Sequence, residues 1–307
     1  MTDLILGLDA GGSKTHGWLA RLADGQPVVI GKGEAGAGNP LSAGWDIATA
    51  NIASAIKDAF IAAESDSQPV TSVCLSIAGG DRESVRTRLI DWLRANQFGK
   101  KVRVTNDALP LLYAGCPNGE GIAVIAGTGS IVYGRDSTNR TVRCGGWGHL
   151  IGDKGSGYWI AIQALKAITD FEDGRGIPTA LTDEFLANAG VSSVTDLIGK
   201  VYAEESSKKE IASWSRIVFS CSEKGDERAT QVIQNAAARL ASQIQNVVSR
   251  LNLIQLHLAL AGGIISNNAE FRKQIIAECK KLQIDISDSK LVEFPVWGAV
   301  LIAQQDV

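Results

Sequence analysis

The chain has 307 residues, of which 45% are hydrophobic and 21% charged, and its net charge is −3. That is enough apolar material for two buried cores. It builds no positive field for nucleic acid and holds no long Lys/Arg cluster. There is no basic-then-apolar leader with a cleavage site, and no apolar run near the roughly 20 residues that a membrane span needs. A soluble, cytoplasmic protein is expected.

In chain order, Leu4–Leu8 predicts a strand, and the Gly11-Gly12 turn sends it back into His16–Leu22. Asp24-Gly25 is a hairpin signal that leads to a third strand over Val28–Lys32. A loop of small residues from Gly33 to Pro40 precedes a helix from about Trp45 to Ala62, with Ile52, Ala55, Ile56, Ala59 and Phe60 on one stripe. Val70–Ile77 predicts a buried strand, Arg82–Asn96 a helix, and Val102–Thr105 a short strand with Asn106-Asp107 at its end. The pattern then restarts. Ile122–Ala126, Ile131–Gly134 and Thr141–Cys144 predict strands separated by turns. Residues 153–229 read as helices and charged loops, and Thr230–Leu251 is the clearest helix. Leu256–Ala261 is a buried strand capped by Gly262-Gly263, Phe271–Leu282 a helix, and Pro295–Ala303 a final helix opening at a proline. Two α/β domains with mixed sheets and a cleft between them are expected. Ligands on such sheets gather at the carboxyl ends of strands, where Asp9, Asp107, Gly127 and Gly262 all fall.

Two strand-turn-strand glycine motifs carry the chemistry. The first is Asp9-Ala-Gly11-Gly12-Ser13-Lys14-Thr15 and the second Gly127-Thr128-Gly129-Ser130. Glycine lets backbone N–H groups approach an oxyanion, and hydroxyls add donors without bulk. Asp9 supplies the carboxylate that a phosphate-bound Mg²⁺ usually needs. The pair points to a nucleoside triphosphate. Neither motif fits G-x-x-x-x-G-K-[ST] or G-x-G-x-x-G, and each turns into a strand rather than a helix. Taken singly, the first motif reads equally as an ordinary turn and the second more readily so; together, with a third strand-plus-glycines at Gly262-Gly263, they favour function. Asp107 reads as a helix N-cap or as a base for an attacking hydroxyl. The densest glycine run, 145–157, is costly to order unless backbone approaches a ligand. In it Trp147 offers an apolar face for a sugar and Asp153 an acceptor for its hydroxyls, against the alternative of a flexible loop with a buried Trp. Asn39 reads as a turn residue or a hydroxyl binder. The five cysteines are dispersed without C-x-x-C spacing, so reduced thiols and no zinc are expected. His16 and His257 read as structural, and His149 stays ambiguous.

Together these segments, from Leu4 to Ala303, resemble the sugar kinase and actin superfamily, and within it the N-acetylglucosamine kinase family of the BadF/BadG/BcrA/BcrD-type ATPase group. The most specific stretch is Cys144-Gly-Gly-Trp-Gly-His-Leu-Ile-Gly-Asp153-Lys-Gly-Ser-Gly-Tyr-Trp159. It departs from the family at Lys154, where an acidic residue is common. The resemblance implies two ribonuclease H-like domains with five-stranded mixed sheets and a nucleotide/sugar cleft, the actin-like ATPase fold. It places one domain at residues 1–110, completed by a C-terminal helix at 293–307, and the other at 111–292.

It further implies ATP and Mg²⁺ as cofactors. Asp9 would face the metal through water, and Gly11, Gly12, Ser13, Lys14 and Thr15 would hold phosphates. Gly127, Thr128 and Gly129 would clamp them from the other domain, while Gly262, Gly263 and Ser266 would lie beside adenosine. Asn39, Ser76, Asp107, Gly146, Trp147, Gly148 and Asp153 would bind the sugar, with Asp107 taking the proton of its 6-hydroxyl. Rival readings are a glucosamine or glucose kinase, an activator ATPase of a CoA dehydratase or reductase, and an actin-type filament protein. The apolar C-terminal helix would cover either its own domain or a partner, which leaves a homodimer open.

Overall fold

A computed structural model describes residues 3–203 and 207–307. The chain separates into two compact units, Met1–Ala123 with Val292–Val307, and Val124–Leu291. In the first, β1 (Leu4–Ala10), β2 (Thr15–Ala23) and β3 (Gln26–Ala35) form an antiparallel meander. A short α1 (Pro40–Ala43) and α2 (Trp45–Ala62) lead to β4 (Val70–Ile77), α3 (Glu83–Ala95), β5 (Gly99–Thr105) and α4 (Ala108–Gly115). The sheet runs β3-β2-β1-β4-β5, with β4 parallel to both β1 and β5.

Strand alternation divides this sheet between two helical layers. Leu6, Leu8, Val73 and Leu75 pack with Ile52, Ile56, Ala59 and Phe60 of α2. Ile5 and Cys74 face the other way. Glycines let α2 settle directly on the meander: a Cβ on Gly31 would lie 2.0 Å from the Ala59 carbonyl oxygen, and one on Gly33 would lie 2.1 Å from that of Ala55.

The boundary between the units falls within β6 (Gly121–Ala126), followed by β7 (Ser130–Arg135) and β8 (Thr141–Gly145). Five helices come next: α5 (Gly157–Glu172), α6 (Leu181–Ala189), α7 (Val194–Tyr202), α8 (Lys208–Ser213) and α9 (Ser215–Glu223). Residues 204–206 of this expected helix-and-loop stretch lie outside the described residues. Then come α10 (Glu227–Leu251), β9 (Leu256–Ala261), α11 (Gly263–Asn267), α12 (Ala269–Lys281) and β10 (Ile286–Leu291). The second sheet runs β10-β9-β6-β7-β8 and is also mixed, with β9 and β10 parallel and β7 and β8 antiparallel. The α10 stripe buries Val232, Ala236, Leu240, Ile244, Val247 and Leu251, while Val248 is only half-buried. Asp226 caps α10 by accepting from the Ala229 N–H.

Strand β10 has no counterpart among the predicted elements. Its sequence, Ile-Ser-Asp-Ser-Lys-Leu, is mostly exposed at the sheet edge, so it lacks the apolar alternation that marks a half-buried strand. The brief α1 and α11 were likewise unpredicted, being too short to show a periodic stripe.

Helix α13 (Val296–Gln304) returns the chain to the first unit. Its Ala299, Val300, Ile302 and Ala303 join Ile5, Ala20 and Cys74 in one cluster, so it covers its own sheet. The fit is close. A Cβ on Gly7 would lie 2.5 Å from the Val300 nitrogen, and one on Gly298 would lie 1.8 Å from the Pro110 carbonyl oxygen of α4. Gly298→Ala is therefore expected to lower unfolding free energy by about 1–3 kcal/mol through overpacking. The urea midpoint reads this, and an unchanged midpoint would mean that the α4–α13 contact can slide.

Candidate active site

Three parallel strands of the first unit end together. Asp9 of β1 is in register with Ser76 of β4, and Ser76 with Thr105 of β5. Asp9, Ser76 and the Asn106-Asp107 step after β5 therefore occupy one edge. The fully buried Ser76 hydroxyl donates to Asp9 Oδ1 at 2.8 Å. Burial raises the Asp9 carboxyl above the ordinary aspartate range, against the pull of that hydrogen bond and of His16.

Asp107 occupies the N-cap of α4, yet its side chain makes no capping hydrogen bond. Asn106 does that work. Its Oδ1 accepts from the N–H groups of Ala108 and Leu109 at 3.1 and 2.9 Å, and its Nδ2 donates to Asp81 at 2.9 Å. The Asp107 carboxyl is thereby left to other chemistry. Burial, then the nearby Asp9 charge and then Asp81, push it up to about 6. Neither Asp9 nor Asp107 has an ion-pair partner among the described residues. Asn106 and Asp81 were not singled out in the sequence, although Asn before a helix is itself a cap signal.

The first glycine turn is closed by its own backbone. The Gly11 N–H donates to the Lys14 carbonyl at 2.9 Å, and the Gly38 N–H to the Gly11 carbonyl at 3.1 Å. Two of its expected phosphate ligands have other partners. The buried Thr15 hydroxyl donates to the Gly36 carbonyl at 2.7 Å, and the exposed Lys14 ammonium pairs with Glu34 at 2.5 Å. Gly12 and Ser13 are exposed at the tip. Asn39 is buried and doubly engaged: it caps α1 through Leu41 N–H at 2.9 Å and donates to the Ala78 carbonyl at 3.1 Å.

In the second unit the two remaining glycine turns meet. A Cβ on Gly127 would lie 3.4 Å from the Gly263 nitrogen. Gly262 has φ +96° with the Ala126 backbone 2.5 Å from its would-be Cβ, so only glycine fits there. The carbonyls of Gly127 and Thr128 accept from the N–H groups of Gly157 and Tyr158 at the start of α5, at 2.8 and 3.4 Å. That helix start is thus occupied, and the Thr128 side chain is exposed. Ser266 is exposed on α11, its N–H bonded to the Gly262 carbonyl at 2.8 Å.

The glycine-rich loop is ordered from within by Asp153. This residue is 4% exposed at φ +51°, and its Oδ1 accepts from the Gly148 N–H at 3.2 Å. Its Oδ2 pairs with Lys208 at 3.2 Å, a partner that nothing in the sequence pattern flagged. Gly146 and Gly148, at φ +70° and +88°, flank Trp147. Trp147 is not a buried anchor: it is 61% exposed, and the Arg143 guanidinium lies over its ring at 4.4 Å. Lys154 is exposed, and its carbonyl accepts from Ser130 and Gln243.

Comparison with known proteins places these features in a family. The profile of the BadF/BadG/BcrA/BcrD ATPase family matches residues 6–303, and the chain belongs to that family. It is 34% identical over 308 residues to the N-acetylmuramic acid/N-acetylglucosamine kinase of Clostridium acetobutylicum, covering 98% of both chains. It is 29% identical to the N-acetyl-D-glucosamine kinase of Dictyostelium discoideum, again over 98% of both. In fold it is similar to a provisionally assigned N-acetylglucosamine kinase from Chromobacterium violaceum, with TM-score 0.76, 21% identity and coverage of 98% of this chain and 99% of the other.

The Asp107 environment has a consequence for stability. Folded Asp107 keeps its proton up to about pH 6, against an ordinary 3.8. Between those values the folded state binds more protons than the unfolded one, so stability falls as pH climbs through the window. Asp107→Asn removes that loss. The variant is expected to be more stable than wild type at pH 7, by about 3 kcal/mol at most, and nearly equal to it near pH 4. Denaturant titrations at the two pH values check this.

Proposed function

We propose that the chain is an ATP-dependent kinase that phosphorylates the 6-hydroxyl of an amino sugar, N-acetylglucosamine foremost. One observation carries the reading: the Asp107 carboxyl is relieved of capping by Asn106 and pushed up to about 6 by burial and the nearby Asp9 charge. The names of the two full-length relatives support the same chemistry.

In this reading Asp107 accepts the proton of the sugar hydroxyl as that oxygen attacks the γ-phosphorus. With its carboxyl near 6 it is ionised at pH 7 yet basic enough to take the proton. The Gly127 N–H is held by the Gly129 carbonyl at 2.9 Å, so in this reading the N–H groups of Thr128 and Gly129 and the Thr128 hydroxyl hold phosphate oxygens, the Gly262-Gly263 step lies beside the nucleoside, and the 145–153 loop receives the sugar. The transferring phosphoryl group makes little demand on covalent chemistry, so positioning and charge stabilisation dominate.

Magnesium fits the residues present. Asp9 is a raised carboxyl without a cation, Ser76 occupies one of its oxygens, and the other is left for a metal-bound water. The metal would neutralise phosphate charge there. Among the described residues no cluster of three His, Cys, Asp or Glu could hold a metal by itself, which suits an ion that arrives with the nucleotide.

Arg143 favours a second substrate. It is stacked on Trp147 and has no ion pair or hydrogen bond among the described residues, so it offers its edge to an anion. A carboxylate-bearing amino sugar such as N-acetylmuramic acid has that anion. As for the rival activator role, four of the five thiols are buried, which speaks against a bridging cluster.

Two measurements test the proposal. A coupled ADP-release assay over N-acetylglucosamine, N-acetylmuramic acid, glucosamine and glucose should give turnover highest with an N-acetyl sugar; no turnover with any sugar defeats the reading. Asp107→Asn should lose about 10²- to 10⁴-fold in kcat while sugar binding persists. The wild-type rate should fall about tenfold per pH unit below about 6, where Asp107, coupled to Asp9, takes up its proton. A flat acid limb would remove Asp107 from the proton-transfer step.

A further inference from the structure

Beside the Gly127–Gly129 turn stands a cation that the mechanism above does not use. Lys208 opens α8, and its ammonium lies 3.2 Å from Asp153 Oδ2. A Cβ on Gly129 would come within 2.7 Å of that carboxylate oxygen and 3.3 Å of the Lys208 nitrogen. Ammonium, carboxylate and glycine turn therefore converge, and the absence of a side chain at 129 makes room for the charged pair.

The pair is lopsided. The Asp153 side chain is 5% exposed and that of Lys208 35%, so the carboxylate is buried behind the ammonium. An ammonium has three donors, and Asp153 accounts for one. The Asp153 carboxylate also grips the Gly148 N–H of the 145–153 loop through its other oxygen. One buried anion thus anchors a half-exposed cation at the edge of the phosphate turn and organises the loop beside it. Lysine aimed at a transferring phosphoryl group stabilises the charge it spreads over its oxygens.

We propose that Lys208 is a catalytic residue whose ammonium contacts the terminal phosphate of a nucleotide held at the Gly127–Gly129 turn, with Asp153 as its positioning residue. This rests on the ATP-dependent kinase reading. Lys208→Met and Lys208→Arg in the full-length protein test it by calorimetry with MgADP and with a non-hydrolysable MgATP analogue, alongside steady-state rates.

Lys208→Met is expected to bind the analogue about tenfold more weakly and MgADP as wild type does. Its kcat should fall about 10²-fold with the sugar KM within about twofold, and Lys208→Arg should recover most of the loss. Wild-type analogue affinity and turnover in Lys208→Met overturn the inference and leave the kinase reading intact. Equal weakening of both nucleotides together with a lowered Tm, unrescued by Arg, also overturns it, because Lys208 would then serve only to neutralise Asp153. Failure of the wild type to take up either nucleotide removes the kinase reading itself and this inference with it.

Discussion

Two carboxyl groups at the ends of β1 and β5, the parallel strands on either side of β4, with no cation paired to either among the described residues, set the terms for the first unit. Parallel pairing of β1, β4 and β5 brings Asp9, Ser76 and the Asn106-Asp107 step to one edge by register alone. Burial raises both carboxyls, and the Asp9 and Asp81 charges raise Asp107 further. A fold selected for stability alone would pair such groups or replace them. Their retention is intelligible if a bound cation and a protonated substrate oxygen complete the charge balance. It illustrates how strain at a working site is carried by a well-packed sheet, here one covered on both faces by α2 and α13.

Much of this was legible in the sequence because it rests on local rules. Buried strands show as apolar runs, and α2 and α10 show as stripes of period 3.6, so both sheets and their main helices stand out. The turns stand out because glycine is needed where backbones touch, as Gly262 against Ala126 demonstrates. What was not legible is of two kinds. Strand β10 carries no hydrophobic signal, since only its backbone is used by the sheet. The partners of the site residues depend on tertiary contact: Lys208 comes from a helix 55 residues beyond Asp153, and no pattern links them. The fate of individual side chains was equally hidden. Thr15, Lys14 and Asn39 match a ligand-binding motif by type, yet their hydrogen bonds hold the turn, the meander and α1. Motif identity fixes where a loop runs more reliably than which of its atoms face a ligand.

Asp107 shows how two readings of one residue are separated. From the sequence it is a cap or a base, since Asp before a helix suits both. The neighbouring Asn106 supplies the cap, which supports the proposed base role for Asp107. An amide can accept two N–H groups with Oδ1 while donating to Asp81 with Nδ2, a combination an ionised carboxylate cannot supply. Placing the neutral capper one residue earlier leaves the charged group without a structural duty. The same logic applies to Asp153 with the opposite outcome. Its two oxygens each hold one partner, Gly148 and Lys208, so it shapes the loop while keeping acceptor capacity for a ligand hydroxyl.

The two units use one device, a strand-glycine-strand turn, for different electrostatic ends. In the first, the turn after β1 closes upon its own backbone, its Lys14 ammonium is paired with Glu34, and the Asp9 carboxyl beside it suits a cation. In the second, the turn after β6 gives its carbonyls to the start of α5. The Gly127 N–H also closes on its own turn, donating to the Gly129 carbonyl at 2.9 Å, so the distinguishing feature is the ammonium of Lys208, which adds positive charge at the same place. That field suits an anion. In the proposed reaction magnesium is the cation suited to the first turn, and a nucleotide phosphate is the anion suited to the second. The repeated turn therefore need not mean repeated function: the fold supplies the same backbone curvature twice, and the charged neighbours at each turn decide which sign of charge it suits.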